Sequence, residues 1–460
     1  MSKQGIFSLL ILLSLFIFKL PANAQILTIQ DAIQTAKSNY GILKAKANYV
    51  NASRATVNQS KKDYLPNVNL SLQQDFGTVN GQNGPLYGLG LAVASSGLPL
   101  PEQNWNSAFG ALYLTNVNWD FFAFGRARER IKTSESIVTR DQSDLEQEQF
   151  RHEVRVAGAY LNLLAAQRLV TSWERNLERA SALKNVVVTR AKNGLLPGVD
   201  SSLANAEVSN AKISIIQARD YEQEQASNLA QLMGIVAQQF VLDTTFVTQA
   251  PAIIDSAVGT KNHPLLQYYA NRIAVSNQQA KYYQTLSYPT LSLFGVLQGR
   301  GAGFSSSYAT NQHAYTQNYF DGIKPVRANY LLGIGATWNL TTILRVRQQV
   351  LSQKFVSNAL QDEYNVVDNQ IQNQLLLSDN KIRNAVASFR EAPVQVKSAG
   401  DAYLQKSVLY KNGLSNIVDI TQALYILNRA ETSRDVAFIN VWQALLLKAA
   451  AAGDFTIFLK

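Results

Sequence analysis

One order of residues occurs twice along the chain, and this duplication limits the possible folds more than any single motif does. Asn39 and Asn262 lie 223 residues apart, and so do Pro66 and Pro289. Further along the spacing falls to 219 and stays there. It relates Trp119 to Trp338, Arg126 to Arg345, and Asn193-Gly194-Leu195 to Asn412-Gly413-Leu414. It also relates Val199-Asp200 to Val418-Asp419, Ala204 to Ala423 and Gly234 to Gly453. Collinear matches of this kind mark two copies of one structural unit. The slip from 223 to 219 falls between Pro66 and Trp119, where a loop absorbs it. The copies cover about 29–236 and 262–453, joined by 237–261.

Each copy reads as helix, strand, loop, strand, very long helix, turn, helix. The opening helix carries a stripe at 29, 33, 36, 40, 43, 47, 50, 54, 57, 61 and 64, softened by Arg54 and Lys61. Alternating steps of three and four make it coiled-coil-like. Thr28 with Asp31 resembles a capping start. In the second copy Asn262 is the expected cap, with Pro264 in the first turn. Between Gly125 and Gly194 there is no proline and one glycine, Gly158. That stretch predicts a helix of about 68 residues, about 100 Å long. Its partner, 345–412, contains Pro393, and a kink or short break is expected near 390–393, because proline lacks the amide donor and clashes with the preceding turn.

After Pro66 the period changes to two. Val68, Leu70 and Leu72 alternate with Asn67, Asn69, Ser71 and Gln73. The return strand sets Phe109, Ala111, Tyr113, Thr115, Val117 and Trp119 against Gly110, Leu112, Leu114, Asn116, Asn118 and Asp120. The second copy offers Leu291, Leu293 and Leu297, then Tyr330, Leu332, Ile334, Ala336 and Trp338 against Gly333, Gly335, Thr337 and Asn339. Such faces fit lipid outside and water inside. A half-buried soluble hairpin shows the same alternation, and Phe294 and Val296 depart from the polar face. Gly299-Arg300-Gly301-Ala302-Gly303 lacks the following helix that a phosphate loop needs.

Composition narrows the chemistry. The chain of 460 residues is 47% apolar and 16% charged, with a net charge of +10 and no cysteine. Disulfides, thiolate catalysis and Cys-ligated metals are excluded. His152, His263 and His313 are scattered. No nucleophile, carboxylate pair or ligand cluster is visible, so no catalytic residues, metal site or cofactor are expected. Met1–Ala24 has Lys3, an apolar run Ile6–Phe18 and Ala22-Asn23-Ala24, the pattern of a cleaved secretory signal. No later stretch offers 18 uninterrupted apolar residues, so a membrane crossing would be made by strands. Four strands cannot close a barrel, which needs about eight. An open edge in lipid costs several kcal/mol for each unpaired backbone group. Chains that cross a membrane this way must share one barrel.

Several segments carry a family resemblance. Leu27-Thr28-Ile29-Gln30-Asp31-Ala32-Ile33, Tyr64-Leu65-Pro66-Asn67-Val68, Asn262-His263-Pro264-Leu265 and both Asn-Gly-Leu segments followed by Val-Asp resemble the outer-membrane efflux (TolC-like) family. The resemblance implies an α+β membrane protein with an internal two-fold repeat. Its outer-membrane β-barrel has four strands per chain and 12 per homotrimer, and a long periplasmic α-helical barrel continues it. It implies as partners a periplasmic adaptor (membrane fusion) protein, an inner-membrane transporter and outer-membrane lipid, with no nucleic acid. The function implied is passive exit from an efflux or type I secretion system. The alternative is a structural periplasmic coiled-coil protein without a pore.

Along the chain the expected segments are a signal (1–24), an opening helix (25–65) and a β-hairpin with an extracellular loop (66–120). A long helix, tip and return helix (121–236) and an equatorial linker (237–261) follow. The second copy brings its opening helix (262–288), hairpin (289–340), long helix with tip and return helix (341–453) and a tail (454–460). The resemblance places adaptor-docking tips at Gly194, Leu195, Gly413 and Leu414, and membrane-interface aromatics at Trp119 and Trp338. It puts Asp419 in a constricting ring and sets Asp200 to bond Tyr410 of a neighbouring helix. The family's second ring acid falls at Gln422 and its locking arginine at Ser415, two departures from the pattern. Either aspartate also suits a helix start, where the dipole favours a carboxylate; Ser415 is then the expected cap beside Asp419. Two methionines and three histidines supply few soft ligands for copper or silver cargo.

Overall fold

The two sequence copies fold into the same run of elements. A computed structural model describes residues 26–81, 97–248, 251, 259–260 and 262–459. The expected signal, Met1–Ala24, lies outside the described residues, as do parts of the first inter-strand loop and of the 237–261 linker. Copy one comprises α1 (Ile29–Asn39), α2 (Gly41–Lys62), β1 (Asn67–Thr78), β2 (Ser107–Phe122), α3 (Arg126–Lys192) and α4 (Gly198–Met233). The short α5 (Thr245–Thr248) lies in the linker. Copy two comprises α6 (Pro264–Thr285), β3 (Thr290–Ala302), the short α7 (Tyr319–Ile323), β4 (Arg327–Thr337), α8 (Thr342–Lys411) and α9 (Ile417–Ala452), before α10 (Thr456–Leu459). The residues divide into a strand unit, 51–138 with 273–359, and a helical unit formed by the rest.

In the strand unit the four strands form one antiparallel sheet in the order β1-β2-β3-β4. Val68 lies opposite Val117, and Leu70 opposite Thr115. In the second hairpin Leu291 lies opposite Ala336, and Leu293 opposite Ile334. Shifting β1 by 223 and β2 by 219 converts the first register into the second. Directly opposed residues share a face. The register therefore gathers Leu70, Tyr113, Trp119, Leu293, Leu332 and Ile334 on one face, and Asn67, Asn69, Ser71, Asn116 and Asn118 on the other. Phe294 does lie on the polar face, opposite Gly333. A Cβ on Gly333 would sit 2.5 Å from the ring's Cζ. Glycine there lets the ring settle onto the sheet.

The strand ends are tied to the turns that feed them. Trp119 donates its indole N–H to the Tyr64 carbonyl at 2.8 Å, and Trp338 donates to the Ser287 carbonyl at 3.0 Å. Tyr64 and Ser287 correspond in the repeat, each two residues before its proline. The sheet's outer strands are open. Every residue of β1 is exposed, and in β4 only Gly333 and Gly335 are partly covered.

The helical unit has a core that includes Ile29, Tyr160, Leu161, Leu164, Leu229 and Leu446. Tyr160 donates to the Leu27 carbonyl at 2.8 Å and accepts from the Asp243 amide at 3.0 Å. Burial pushes its phenol up to about 12. Thr28 caps α1 as expected, its hydroxyl accepting from the Asp31 amide at 3.1 Å.

Three expectations change. The opening helix of copy one is interrupted: Tyr40 is extended (φ −64°, ψ 115°) between α1 and α2. Its ring stacks on His152 at 3.8 Å, which holds it out of the helical path. The cap of α6 is His263 rather than Asn262, since the Leu265 amide donates to His263 Nδ1 at 3.1 Å. His263 Nε2 meets the Ala450 carbonyl at 3.1 Å. Finally, of the kink or short break expected near 390–393, the break does not occur: α8 runs from Thr342 to Lys411 through Pro393. One described helix, α9, is long and apolar enough to cross a membrane by composition, although it contains no uninterrupted run of that length. Within its most apolar window 61% is buried, as in a core helix.

Burial lowers the pKa of His263 and of His152. With Nδ1 accepting from Leu265, His263 must be neutral to cap α6. A histidine depressed in the folded state contributes stability above its unfolded pKa of about 6.5, and that stability is lost as pH falls. Protection of the first turn of α6 against hydrogen exchange, corrected for intrinsic rate, should therefore fall between pH 7.5 and pH 5. His263→Asn keeps a capping side chain and should flatten that dependence.

Candidate functional site at the helix-turn tips

Two helix turns of the helical unit, α3–α4 and α8–α9, are built identically. Gly194 and Gly413 adopt φ of 74° and 77°, a left-handed conformation that glycine takes without a steric penalty. Leu195 N–H donates to the Arg190 carbonyl at 2.9 Å and Gly194 N–H to the Ala191 carbonyl at 3.0 Å. Leu414 donates to Leu409 at 2.9 Å and Gly413 to Tyr410 at 3.1 Å. This double bond pattern closes a helix by satisfying its last carbonyls. The same closure recurs at Gly234 and Gly453. At Gly234 the residue after glycine, Ile235, packs onto the main core. At the tips the corresponding leucines stand free, Leu195 at 66% and Leu414 at 74% exposure. Helix termination accounts for the glycines and leaves the two projecting leucines unexplained.

The second tip alone carries a polar cluster. Asn416 caps α9, its side-chain oxygen accepting from the Asp419 amide at 2.8 Å. Ser415, expected as the cap, instead donates its hydroxyl to Asp419 Oδ2 at 3.0 Å. Lys406 donates to the same oxygen at 3.1 Å. Lys406, then Ser415, hold the Asp419 carboxyl below the usual aspartate range. Copy one has Val187, Leu196 and Pro197 at the positions of Lys406, Ser415 and Asn416. Val187 is buried and Leu196 packs beside it, and Pro197 makes no side-chain cap. Asp200 thus has the helix position of Asp419 without its partners.

Tyr410 is buried among Leu183, Val187, Ala204, Ile417 and Ile420. Its hydroxyl has no partner among the described residues, so the expected bond to Asp200 does not form within the chain. Burial raises its pKa, the Asp200 carboxylate raises it further, and Arg190 opposes both. Arg190 donates to the Tyr410 carbonyl at 3.0 Å, joining the two hairpins at the tips. Gln422 is exposed and makes no side-chain hydrogen bond among the described residues. Trp119 and Trp338 belong to the strand unit and serve there as the ties already described. Lys406, Asn416 and Arg190 were not legible as site residues. The usable signal for Lys406 was its near-equal distance from Gly413 with Asp419, seven residues before and six after, which sets the two side by side across a helical hairpin.

Residues 32–235 match the family described as outer membrane efflux protein. The fold is similar to VceC of Vibrio cholerae, with a TM-score of 0.71 and 15% identity over 93% of this chain and 96% of that one. It is similar to the CmeC channel of Campylobacter jejuni, with a TM-score of 0.73 and 14% identity over 92% and 85%. It is also similar to the open state of the MtrE channel of Neisseria gonorrhoeae, with a TM-score of 0.71 and 14% identity over 93% and 89%. The chain has the fold of these outer-membrane channels. The family match lies within copy one, and the structural matches extend the likeness across copy two. No curated protein matches the sequence. The α+β class and the internal repeat read from the sequence hold in this fold.

Proposed function

We propose that the chain is one protomer of a trimeric outer-membrane exit duct, serving an efflux or type I secretion system. The observation that carries this reading is the open sheet. It has an apolar face fit for lipid, a mostly uncharged polar face fit for water, and two edges that lack strand partners among the described residues. Three such sheets make a ring of 12 strands, above the closure minimum of about eight. Trp119 and Trp338 sit at the membrane boundary, where indoles favour the interface. The helices stand in the periplasm. Conduction is passive, and an inner-membrane transporter supplies the work through a periplasmic adaptor. Gly194-Leu195 and Gly413-Leu414 dock that adaptor, each leucine entering an apolar recess of the partner.

The constriction is formed by copies of Asp419 around the axis, with Gln422 below them and Asp200 and Tyr410 at the flank. Lys406 tempers this ring. Each carboxylate already has a cation within the chain, so the ring's field is weaker than its formal charge suggests. Replacing Asp419 with Ala removes the acid and leaves Lys406 unpaired. In planar bilayers the variant should conduct more and lose cation preference; unchanged current and selectivity would remove Asp419 from the constriction. Replacing both Leu195 and Leu414 with Asp should lower export about tenfold or more, as loss of an apolar hot spot does, while trimers persist. Export at the parent level would clear the tips of a docking role.

A further inference from the structure

Where β1 and β2 meet the helices, the strand unit holds a cleft of about 280 Å³ whose lining includes Asp63, Tyr64, Trp119, Asp120, Arg126 and Arg130. Most of its polar groups have partners. Arg130 pairs with Asp63 at 2.7 Å, and the Tyr64 hydroxyl donates to the Phe121 carbonyl. Trp119 donates to the Tyr64 carbonyl. Two groups of opposite charge are left over. Arg126 donates a terminal N–H to the Tyr288 carbonyl at 3.2 Å, yet its Nε is buried without a partner among the described residues. Asp120 accepts from the Ser292 hydroxyl through Oδ1 at 2.6 Å, and its Oδ2 has no hydrogen-bond partner among the described residues. Leaving a buried donor of a charged group unpaired is costly, and a group left so calls for an occupant. The geometry points to the phosphoethanolamine headgroup of a phospholipid, its phosphate taken by Arg126 and its ammonium by Asp120. The inference rests on the reading of Trp119 at the membrane boundary and adds a specific lipid site there.

Charge selects the headgroup. Two arginines and two aspartates leave the cleft with no net charge. A purely anionic ligand gains from Arg126 and is repelled by Asp120; a zwitterion satisfies both. A primary ammonium donates N–H bonds to a carboxylate, and such charge-assisted bonds are the strong ones. A trimethylammonium has no N–H to give. The lipid source follows from the setting. Trp119 lies on the apolar face of the sheet, and Leu65 beside it in the lining is 62% exposed. Acyl chains attached to a headgroup in the cleft run out along that face. The repeat supplies an internal comparison. Copy two has Leu286, Asn339 and Gln349 at the positions of Asp63, Asp120 and Arg130, and keeps only the arginine, as Arg345. The paired charges are therefore a property of copy one and are not required to join a strand to a long helix in this fold.

The full chain, purified in detergent, is titrated with short-chain phosphatidylethanolamine, phosphatidylcholine and phosphatidylglycerol, and bound lipid is counted by native mass spectrometry. The ethanolamine lipid should bind once per chain and about tenfold more tightly than the other two, the effect of one charge-assisted bond. Asp120→Asn installs the residue that copy two carries and can still accept from Ser292; it should bring the ethanolamine lipid down to the choline level. Arg126→Gln should weaken all three, and Arg345→Gln in copy two should change none. The lipid series on the parent chain tests the site even where a variant fails to fold. Preference for the glycerol lipid makes the cleft an anion site and overturns the zwitterion reading; preference for the choline lipid overturns the ammonium contact with Asp120. Equal binding of all three, or an ethanolamine preference that survives Asp120→Asn, overturns the site. Glycerophosphoethanolamine, which lacks acyl chains, serves as competitor: displacement of the lipid at equal concentration makes a soluble headgroup the ligand and overturns the lipid source. The same chain is mixed with vesicles of long-chain phosphatidylethanolamine. Recovery as a soluble monomer in the supernatant overturns the channel reading, whatever the cleft binds.

Discussion

Backbone amides and carbonyls along the outer edges of β1 and β4 have no strand partner among the described residues, and most of what is distinctive in the structure follows from this deficit. In water an exposed edge is a liability that proteins blunt with charge, proline or bulges. Neither edge strand here carries a proline, β1 has one acid at Asp75, and β4 has one base at Arg327. Leu70, Leu72, Tyr330 and Leu332 face outward unprotected. In hydrocarbon each unpaired group costs several kcal/mol. Edges left this open are suited to pairing.

Duplication also explains what the helical unit does with two copies of one hairpin. The turn geometry is conserved between the copies, because it depends on one left-handed glycine and the carbonyls of the preceding turn. The side chains around it diverge. Copy one fills its tip with Val187, Leu196 and Pro197; copy two places Lys406, Ser415 and Asn416 there and wires them to Asp419. Identical backbone closure thus carries unlike chemistry, apolar packing at one tip and a polar cluster at the other. Arg190, bonded to the Tyr410 carbonyl, joins the two.

Much of this was legible in the residues because it depends on local period. Alternation of apolar and polar side chains assigned the strand faces, since a strand's sidedness has period two whatever its neighbours. The long helices were visible in the near absence of proline and glycine. Features set by distant partners were hidden. The interruption at Tyr40 depends on His152, more than 100 residues away. Phe294 looked like a fault in the polar face until the register placed Gly333 beneath it. Ser415 and Asn416 are both good caps, and only the backbone path chose between them. Asp200 and Asp419 look equivalent in sequence. Their difference lies at the positions of Val187 and Lys406: Lys406 reaches Asp419 only once its hairpin closes, whereas Val187 is buried among apolar side chains.

The central claim is that this sheet becomes complete only when chains share it. Light scattering on the detergent-solubilised protein, corrected for bound detergent, counts chains per particle. The account predicts three. A single chain per particle, stable and soluble after detergent is removed, would contradict it.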